Sequence, residues 1–116
     1  MKDFAEIEII NENRQFLRLY SRGKKRVNPA IVFYYLKNKK QVCMLGITTG
    51  KKIGNAVKRN RARRKIKEAF SSIYKENKDR LKGYTFVLVA RVKTINLKSY
   101  EIKAEIEKEL KKAAII

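Results

Sequence analysis

The sequence predicts a single-domain α+β protein, an α/β sandwich in which helices cover one sheet. Its 116 residues are enough for one hydrophobic core and too few for two. With 44% hydrophobic residues, one Pro and five Gly, the composition is that of a folded domain and not of a disordered or fibrous protein. Three apolar runs rich in β-branched and aromatic residues are interspersed with three segments of helical periodicity. The predicted order is therefore helix, strands, helix, strand, helix.

The first helix is predicted over residues 13–22, where Phe16, Leu19 and Tyr20 recur at helical spacing. An asparagine at its start can cap the helix, and a glycine after it can end the helix in a left-handed conformation. These residues are Asn11 or Asn13 at the N-terminus and Gly23 at the C-terminus.

Two strands are expected after a basic connector. Residues 30–36 (AIVFYYL) and 41–49 (QVCMLGITT) are rich in β-branched and aromatic residues and are separated by the polar turn KNKK. We expect these two strands to pair as a hairpin. The later run YTFVLVARV, at residues 84–92, is almost continuously apolar. It predicts a central strand that is covered on both faces.

Two further helices complete the predicted sandwich. A helical stretch over residues 55–74 has one apolar face, formed by Ala62, Ile66, Ala69, Phe70 and Ile73. The segment 97–113 has one apolar stripe, formed by Ile102, Ile106, Leu110 and Ala113. We expect both faces to pack in the core, so the chain reads as one domain over residues 1–116.

The charge of the chain is large and local. Thirty Lys and Arg against eleven Asp and Glu give a formal net charge of +19. Residues 13–67 contain eighteen of these bases and no acid, whereas the remaining twelve bases and eleven acids nearly cancel. Such an excess repels itself unless a polyanion binds it. The composition therefore predicts a nucleic-acid partner.

Several other classes of protein are excluded by residue type. The chain has no His and a single Cys, Cys43, which excludes His-based acid/base catalysis, Cys/His zinc sites and an intramolecular disulfide. Acidic residues interrupt the N-terminal ten residues, and no apolar run approaches the roughly 18 residues of a membrane span. We therefore expect a cytoplasmic protein without a membrane partner.

The densest basic patch is KKIGNAVKRNRARRKIK, from Lys51 to Lys67, with nine bases in seventeen residues. At about 100° per residue, one side of the predicted helix carries Asn60, Arg63, Arg64 and Lys67, with Arg61 and Lys65 at its edges. Guanidinium groups on such a face can bind phosphate oxygens in bidentate geometry. Gly54 and Asn55 leave free backbone N–H groups at the helix start, which also favour an anion. Phosphate is the predicted ligand.

The same region does not match a nucleotide-binding loop or a DNA-binding helix-turn-helix. The run from Gly46 to Lys52 (GITTGKK) has its glycines one residue too close for a nucleotide-binding loop, and Lys52 replaces the Ser or Thr that would hold magnesium. A helix-turn-helix would need a helix immediately before residue 55, where a strand is predicted.

The segment KKIGNAVKRNRARRKIKE resembles the signature of the bacterial ribonuclease P protein subunit, including its Arg-Asn-Arg core at Arg59, Asn60 and Arg61. The segments NENRQFLRLYSRG, NPAIVFYYL, LGITT and RLKGYTFVLVAR are similar to the first helix and to strands of that family. The resemblance covers about residues 11–113. It implies a ribosomal protein S5 domain 2-like fold with a left-handed strand-helix-strand crossover, against the usual right-handed rule.

The resemblance also implies a function. In that family a catalytic RNA subunit removes the 5′ leader from precursor tRNA with magnesium ions, and the protein binds that RNA and the leader. No catalytic residue, no protein-bound cofactor or metal and no small-molecule substrate are then expected in this chain. The positions associated with the RNA subunit are Lys51, Lys52, Asn55, Lys58, Arg59, Asn60, Arg61, Arg64 and Lys67, with Arg63 adding charge on the same face. The positions associated with the leader are Phe16, Tyr20, Tyr34 and Thr48.

Some alternatives stay open at the level of sequence. Without the resemblance, Phe16 favours a core position, and Tyr20 and Tyr34 fit a core or a wet cleft equally well. Charge alone does not separate this family from a ribosomal or other structural RNA-binding protein, or from a small nuclease. The chain also departs from the family in its acidic residues 1–10 and in Gly50, where the family often has Ser.

Overall fold

A five-stranded mixed sheet organises the computed structural model, which describes residues 6–116. The strands are β1 (Glu8–Ile9), β2 (Lys24–Val27), β3 (Ile31–Lys37), β4 (Met44–Thr48) and β5 (Tyr84–Ala90). The helices are α1 (Asn13–Arg22), α2 (Ala56–Glu76), α3 (Lys78–Leu81) and α4 (Ser99–Lys112). The predicted α+β class is confirmed. Part of the acidic N-terminal segment, residues 1–5, lies outside the described residues.

The strands are arranged in the order β1-β4-β5-β3-β2, so the predicted hairpin of β3 with β4 is wrong. β5 lies between them, antiparallel to β3 and parallel to β4. It is the strand whose side chains are apolar on both faces, and Phe86, Val87 and Leu88 are fully buried. Burying both faces of β5 outweighs the short connection that favoured a hairpin. The predicted central position of β5 is confirmed, and α2 connects the parallel neighbours β4 and β5.

The predicted basic connector is wrong, because its residues form β2. This edge strand pairs antiparallel with β3, and Lys25 lies opposite Tyr34. Its sequence, KKRV, is exposed or half-buried, so no apolar alternation marks it as a strand. Lysines on an edge strand discourage pairing with another chain.

Helix α1 has the predicted bounds, but the residues that cap it differ from the prediction. Glu12, and not Asn11 or Asn13, is the capping residue, and its backbone N–H donates to Gln15 Oε1 at 3.3 Å. Gly23 is extended (φ −72°, ψ 157°), so the predicted left-handed stop is wrong. A Cβ there would lie 2.5 Å from the Leu19 carbonyl oxygen. Glycine is required by this close approach and not by an unusual φ.

Two cores lie on opposite faces of the sheet. The larger one packs α2 and α4 against the sheet and contains the predicted apolar residues of both helices, among them Ile66, Phe70, Ile102 and Ile106. The smaller one lies under α1 and is formed by Ile10, Leu19, Met44 and Val87. Cys43 is buried in the larger core, and this burial raises the pKa of its thiol to about 12. The thiol is therefore neutral and serves as an apolar core group.

One buried carboxylate ties α4 to the sheet. Glu109 accepts hydrogen bonds from Arg26 at 3.1 Å and from Asn28 Nδ2 at 3.0 Å. Burial by itself raises the pKa of Glu109, but the hydrogen bonds from Asn28 and Arg26 outweigh it and hold the pKa below its usual value. The native state is therefore stabilised by the ionised form of Glu109.

We expect Glu109→Gln to lower the free energy of unfolding by about 1–3 kcal/mol near neutral pH, because a charge-assisted contact is lost. A carboxyl with a depressed native pKa stabilises above its unfolded pKa and loses that contribution as the pH falls through the native value. The difference in unfolding free energy between the variant and wild type should therefore shrink as the pH falls below 4.5, the ordinary pKa of this carboxyl. Urea unfolding at several pH values measures it, with the exposed Glu68→Gln as control. An equal loss at every pH would indicate a packing defect instead.

Candidate nucleic-acid interface

The N-terminal part of α2 is positioned by its cap. Asn55 Oδ1 accepts a hydrogen bond from the Lys58 backbone N–H at 3.0 Å, which is the arrangement preferred at helix starts. Gly54 before it has φ +131°, a region that L side chains rarely adopt. A 3₁₀ turn at Lys51–Ile53 precedes this glycine. Asn55 thus fixes the start of the helix that carries the basic residues.

We call the solvent-facing side of residues 51–67 the α2 basic surface. Its apolar counterpart, Ala62 and Ile66, is fully buried, so the predicted separation of the two faces is confirmed. The surface contains no carboxylate. Its predicted site residues with exposed side chains are Lys51, Lys52, Asn55, Lys58, Asn60, Arg61 and Arg64, and those that are half-buried are Arg59, Arg63 and Lys67.

Arg63 and Lys65 of α2 donate hydrogen bonds to other parts of the protein. Arg63 donates from Nη1 to the Ile47 carbonyl oxygen at 3.1 Å and from Nη2 to Thr49 Oγ1 at 2.9 Å. Lys65 Nζ donates to the Ile95 carbonyl oxygen at 2.8 Å. Both side chains therefore hold α2 against the rest of the fold. Arg63 in particular joins the α2 basic surface to the end of β4.

Helix α1 lies across the strands on the other face of the sheet. Gly46, Val87, Tyr34 and Lys25 are register partners, so they form one row from β4 to β2. A Cβ at Gly46 would lie 2.6 Å from Phe16 Cε1, which shows how closely α1 approaches one end of this row. Further along, the ring of Tyr20 contacts the ring of Tyr34 edge-on, with centroids 4.9 Å apart.

The next row of residues on the same face lies beyond Tyr34 and is partly exposed beside α1. We name this surface the aromatic groove: Tyr20 and Tyr34 border it on the α1 side, and small side chains form its floor. The floor residues are in register across four strands: Thr48, Val89, Val32 and Val27. They are half-buried except for Val27, which is 60% exposed. Lys25 Nζ lies 5.7 Å from the centroid of the Tyr34 ring. The groove thus combines apolar surface, aromatic rings and positive charge.

The predicted leader residues are brought together in part. Tyr20, Tyr34 and Thr48 border the aromatic groove. Phe16 is half-buried under α1 against Gly46 and faces a separate cavity of about 250 Å³ near Arg63 and Lys67. Phe16 thus contributes to the smaller core, as its helical spacing suggested.

Sequence reasoning missed the floor valines and Lys25. Val27 and Lys25 belong to β2, which no apolar pattern revealed, and Val32 and Val89 look like ordinary strand residues. Their alternation in β3 and β5 would have placed them on one face only after the sheet order was known.

The aromatic groove opens into a larger basic cavity. This cavity, of about 740 Å³, lies where the parallel strands β4 and β5 end, and Thr48 and Val89 line both it and the groove. Its cations are Lys51, Lys52, Arg91 and Lys93. A Cβ at Gly50 would have no atom within 4 Å, so a serine would also fit there. The cavity joins the groove to the α2 basic surface.

The described part of the chain offers no set of protein ligands for a metal ion. Within residues 6–116, no three His, Cys, Asp or Glu side chains are grouped so that they could hold one. The same residues include no helix that is long and apolar enough to cross a membrane.

Comparison with known proteins identifies the family. The family model of ribonuclease P matches residues 4–114. The chain is 41% identical over 110 residues to the ribonuclease P protein component of Clostridium kluyveri, covering 91% of this chain and 94% of the relative. It is 39% identical over 106 residues to that of Caldanaerobacter subterraneus, covering 91% and 89%.

Solved structures agree with this result. The RNase P protein of Staphylococcus aureus superimposes with a TM-score of 0.77 at 31% identity, covering 92% of this chain and 95% of that one. The RNase P protein of Thermotoga maritima gives 0.74 at 26% identity, covering 90% and 96%. The chain therefore belongs to the ribonuclease P protein family, whose members are the protein subunits of the endoribonuclease that matures the 5′ ends of tRNA.

Proposed function

We propose that this chain binds the catalytic RNA of ribonuclease P through the α2 basic surface and the 5′ leader of precursor tRNA through the aromatic groove. The observation that supports this best is the junction of the two surfaces at the ends of β4 and β5. There Lys51 and Lys52 line a cavity that also contains Thr48 and Val89 of the groove. Two RNA elements bound to one small domain would meet at this junction.

The α2 basic surface suits a structured RNA. Its guanidinium and ammonium groups lie on one rigid helix, and Arg61 and Arg64 are exposed at spacing that lets both reach phosphates. No carboxylate lies in residues 13–67 to repel the polyanion. Contacts of this kind bind backbone phosphates and release counterions, so we expect strong salt dependence. Such a surface positions the RNA subunit without reading its sequence.

The aromatic groove suits a single strand of variable sequence. Tyr20 and Tyr34 offer rings on which bases can stack, and stacking contributes roughly 1–3 kcal/mol per base with little sequence preference. The valine floor is apolar, and Lys25 adds a cation at the edge of the groove. A leader that differs between precursors requires this tolerance.

The chemistry of cleavage belongs to the RNA in this proposal. The reaction is expected to need Mg²⁺, but the basic surface has none of the carboxylate oxygens that this ion prefers in proteins. The donor groups present therefore do not fit a magnesium site, and we assign the metal ions to the RNA. The protein offsets repulsion between two polyanions and positions the leader, in a process that we place in the cytoplasm.

Reconstitution with the RNA subunit tests this function. We expect the purified chain alone to leave precursor tRNA intact, and the chain with its catalytic RNA to cleave it at magnesium concentrations where the RNA alone is slow. The measurement is the rate of 5′ leader release. Cleavage by the protein alone would indicate a nuclease. Equal stimulation by another basic protein of similar size and charge would indicate a general RNA-binding protein.

A further inference from the structure

A second groove lies on the opposite side of α1 from the aromatic groove. Its floor includes the next row of the same sheet face, where Met44, Thr85 and Leu36 are in register. The cavity there has a volume of about 430 Å³. Four cations surround it, and we name it the lysine groove after them: Arg18 from α1, Lys37 from the end of β3, and Lys39 and Lys40 from the following loop. Helix α1 thus has a basic groove on each side.

The loop that carries these lysines is held in place. Asn38 Nδ2 donates to the Val42 carbonyl oxygen at 3.0 Å and to Thr85 Oγ1 at 3.1 Å, while its Oδ1 accepts from the Lys40 backbone N–H at 3.1 Å. Gln41 takes the left-handed conformation, with φ 61°. The loop is therefore an ordered turn that fixes where the lysines project. An ordered backbone loses less entropy on binding than a mobile one.

The charge of the lysine groove is largely uncompensated. Lys40 Nζ pairs with Glu8 at 3.3 Å. Arg18, Lys37 and Lys39 have exposed side chains and no ion-pair partner within residues 6–116. Ile10, Leu36 and Met44 supply an apolar floor, and no aromatic ring lines the cavity. These groups suit the phosphates and sugars of a strand and offer no ring on which a base can stack.

We propose that the lysine groove binds the backbone of the precursor leader upstream of the nucleotides in the aromatic groove. This inference rests on the proposed function of the aromatic groove. Thr48 in one groove and Met44 in the other are the two ends of β4, about 13 Å apart at 3.3 Å per residue. Only α1, about 10–12 Å wide, separates the grooves, so a flexible strand can pass around it. The RNA subunit fits less well, because the α2 basic surface adjoins the other end of β4.

Binding of precursors with different leader lengths tests this proposal. The double variant Lys37→Ala, Lys39→Ala is assembled with the catalytic RNA. Its affinity is measured for mature tRNA, for a precursor with about four leader nucleotides and for one with about sixteen, which spans the range of single-strand site sizes. We expect binding of the long leader to weaken and its log–log salt slope to fall by about 1.4, or about 0.7 per lost contact. Binding of the short leader and of mature tRNA should stay unchanged.

Two further variants make the result specific. Arg18→Gln removes a charge from the α1 side of the same groove and should also weaken only the long leader. Lys75→Ala with Lys111→Ala removes two exposed charges elsewhere and should affect none of the three RNAs. An equal loss for all three RNAs would assign the groove to the RNA subunit or to the tRNA body and overturn the proposal. No loss at all would also overturn it. If wild type did not prefer the short-leader precursor to mature tRNA, the proposed function itself would fail.

Discussion

Replacing Arg59, Arg61 and Arg64 together by alanine is expected to weaken binding of the RNA subunit about a thousandfold. Each charge-assisted contact to phosphate contributes roughly 1.5 kcal/mol or more, so three lost contacts remove about 4.5 kcal/mol. The log–log salt dependence should become shallower by about 2–3, or about 0.7–0.9 per contact. Titration of the RNA subunit at several salt concentrations measures both quantities.

The fold should survive this change, because Arg61 and Arg64 are exposed and Arg59 is half-buried, whereas the apolar face of α2 is untouched. The matched control is Arg63→Ala on the same helix. Its guanidinium is bound to Ile47 and Thr49, so its loss should reduce stability more and the salt slope less. A large shift in thermal unfolding of the triple variant with unchanged RNA affinity would mean that this side of α2 has a structural role.

Tyr34→Ala is expected to remove roughly 1–3 kcal/mol of leader affinity, whereas Tyr34→Phe should keep it, because stacking needs the ring and not the hydroxyl. The ring also contacts Tyr20 at 4.9 Å, an edge-on arrangement that Phe preserves. The quantity to measure is the ratio of the affinities for precursor and mature tRNA in the reconstituted complex. Tyr20→Ala should lower the same ratio.

The neighbouring Tyr35 provides the control for packing. Its side chain is on the opposite face of β3 and packs against the larger core. Tyr35→Ala should therefore lower stability by a few kcal/mol through a cavity and leave the ratio unchanged in the folded protein. If the preference for precursor survived both Tyr34→Ala and Tyr20→Ala, the leader would bind elsewhere on the basic surface.

The long periodic elements could be predicted from the sequence, because they contain enough residues to show a pattern. The bounds of α1 and the buried face of α2 were predicted, and so was the central position of β5. The pairing of β3 with β5 joins segments about fifty residues apart, and local patterns contain no information about it. β2 was missed because the lysines that protect an edge strand also remove the alternation that marks a strand.

The candidate site likewise combines features that local sequence patterns predict with features that depend on the tertiary structure. The positive charge of residues 13–67, which contain no acid, follows from residue type alone. The separation of the basic and apolar faces of α2 follows from residue spacing. The engagement of Arg63 and Lys65 does not, because acceptors such as the Ile47 and Ile95 carbonyl oxygens are backbone groups that every residue carries. The valine floor of the aromatic groove depends on the register of four strands. The charged side chains of the candidate site could therefore be predicted from the sequence better than its apolar ones.

The central position of β5 determines when the sheet can form during synthesis. β3 and β4 are complete by residue 48, but neither has its main partner until residues 84–90 have left the ribosome. Until then, the edges of β3 and β4 that later pair with β5 are open, and the short KNKK turn brings these two edges close enough to pair with each other. Translation adds about 5–20 residues per second, so such a non-native hairpin would have seconds in which to form before β5 could replace it.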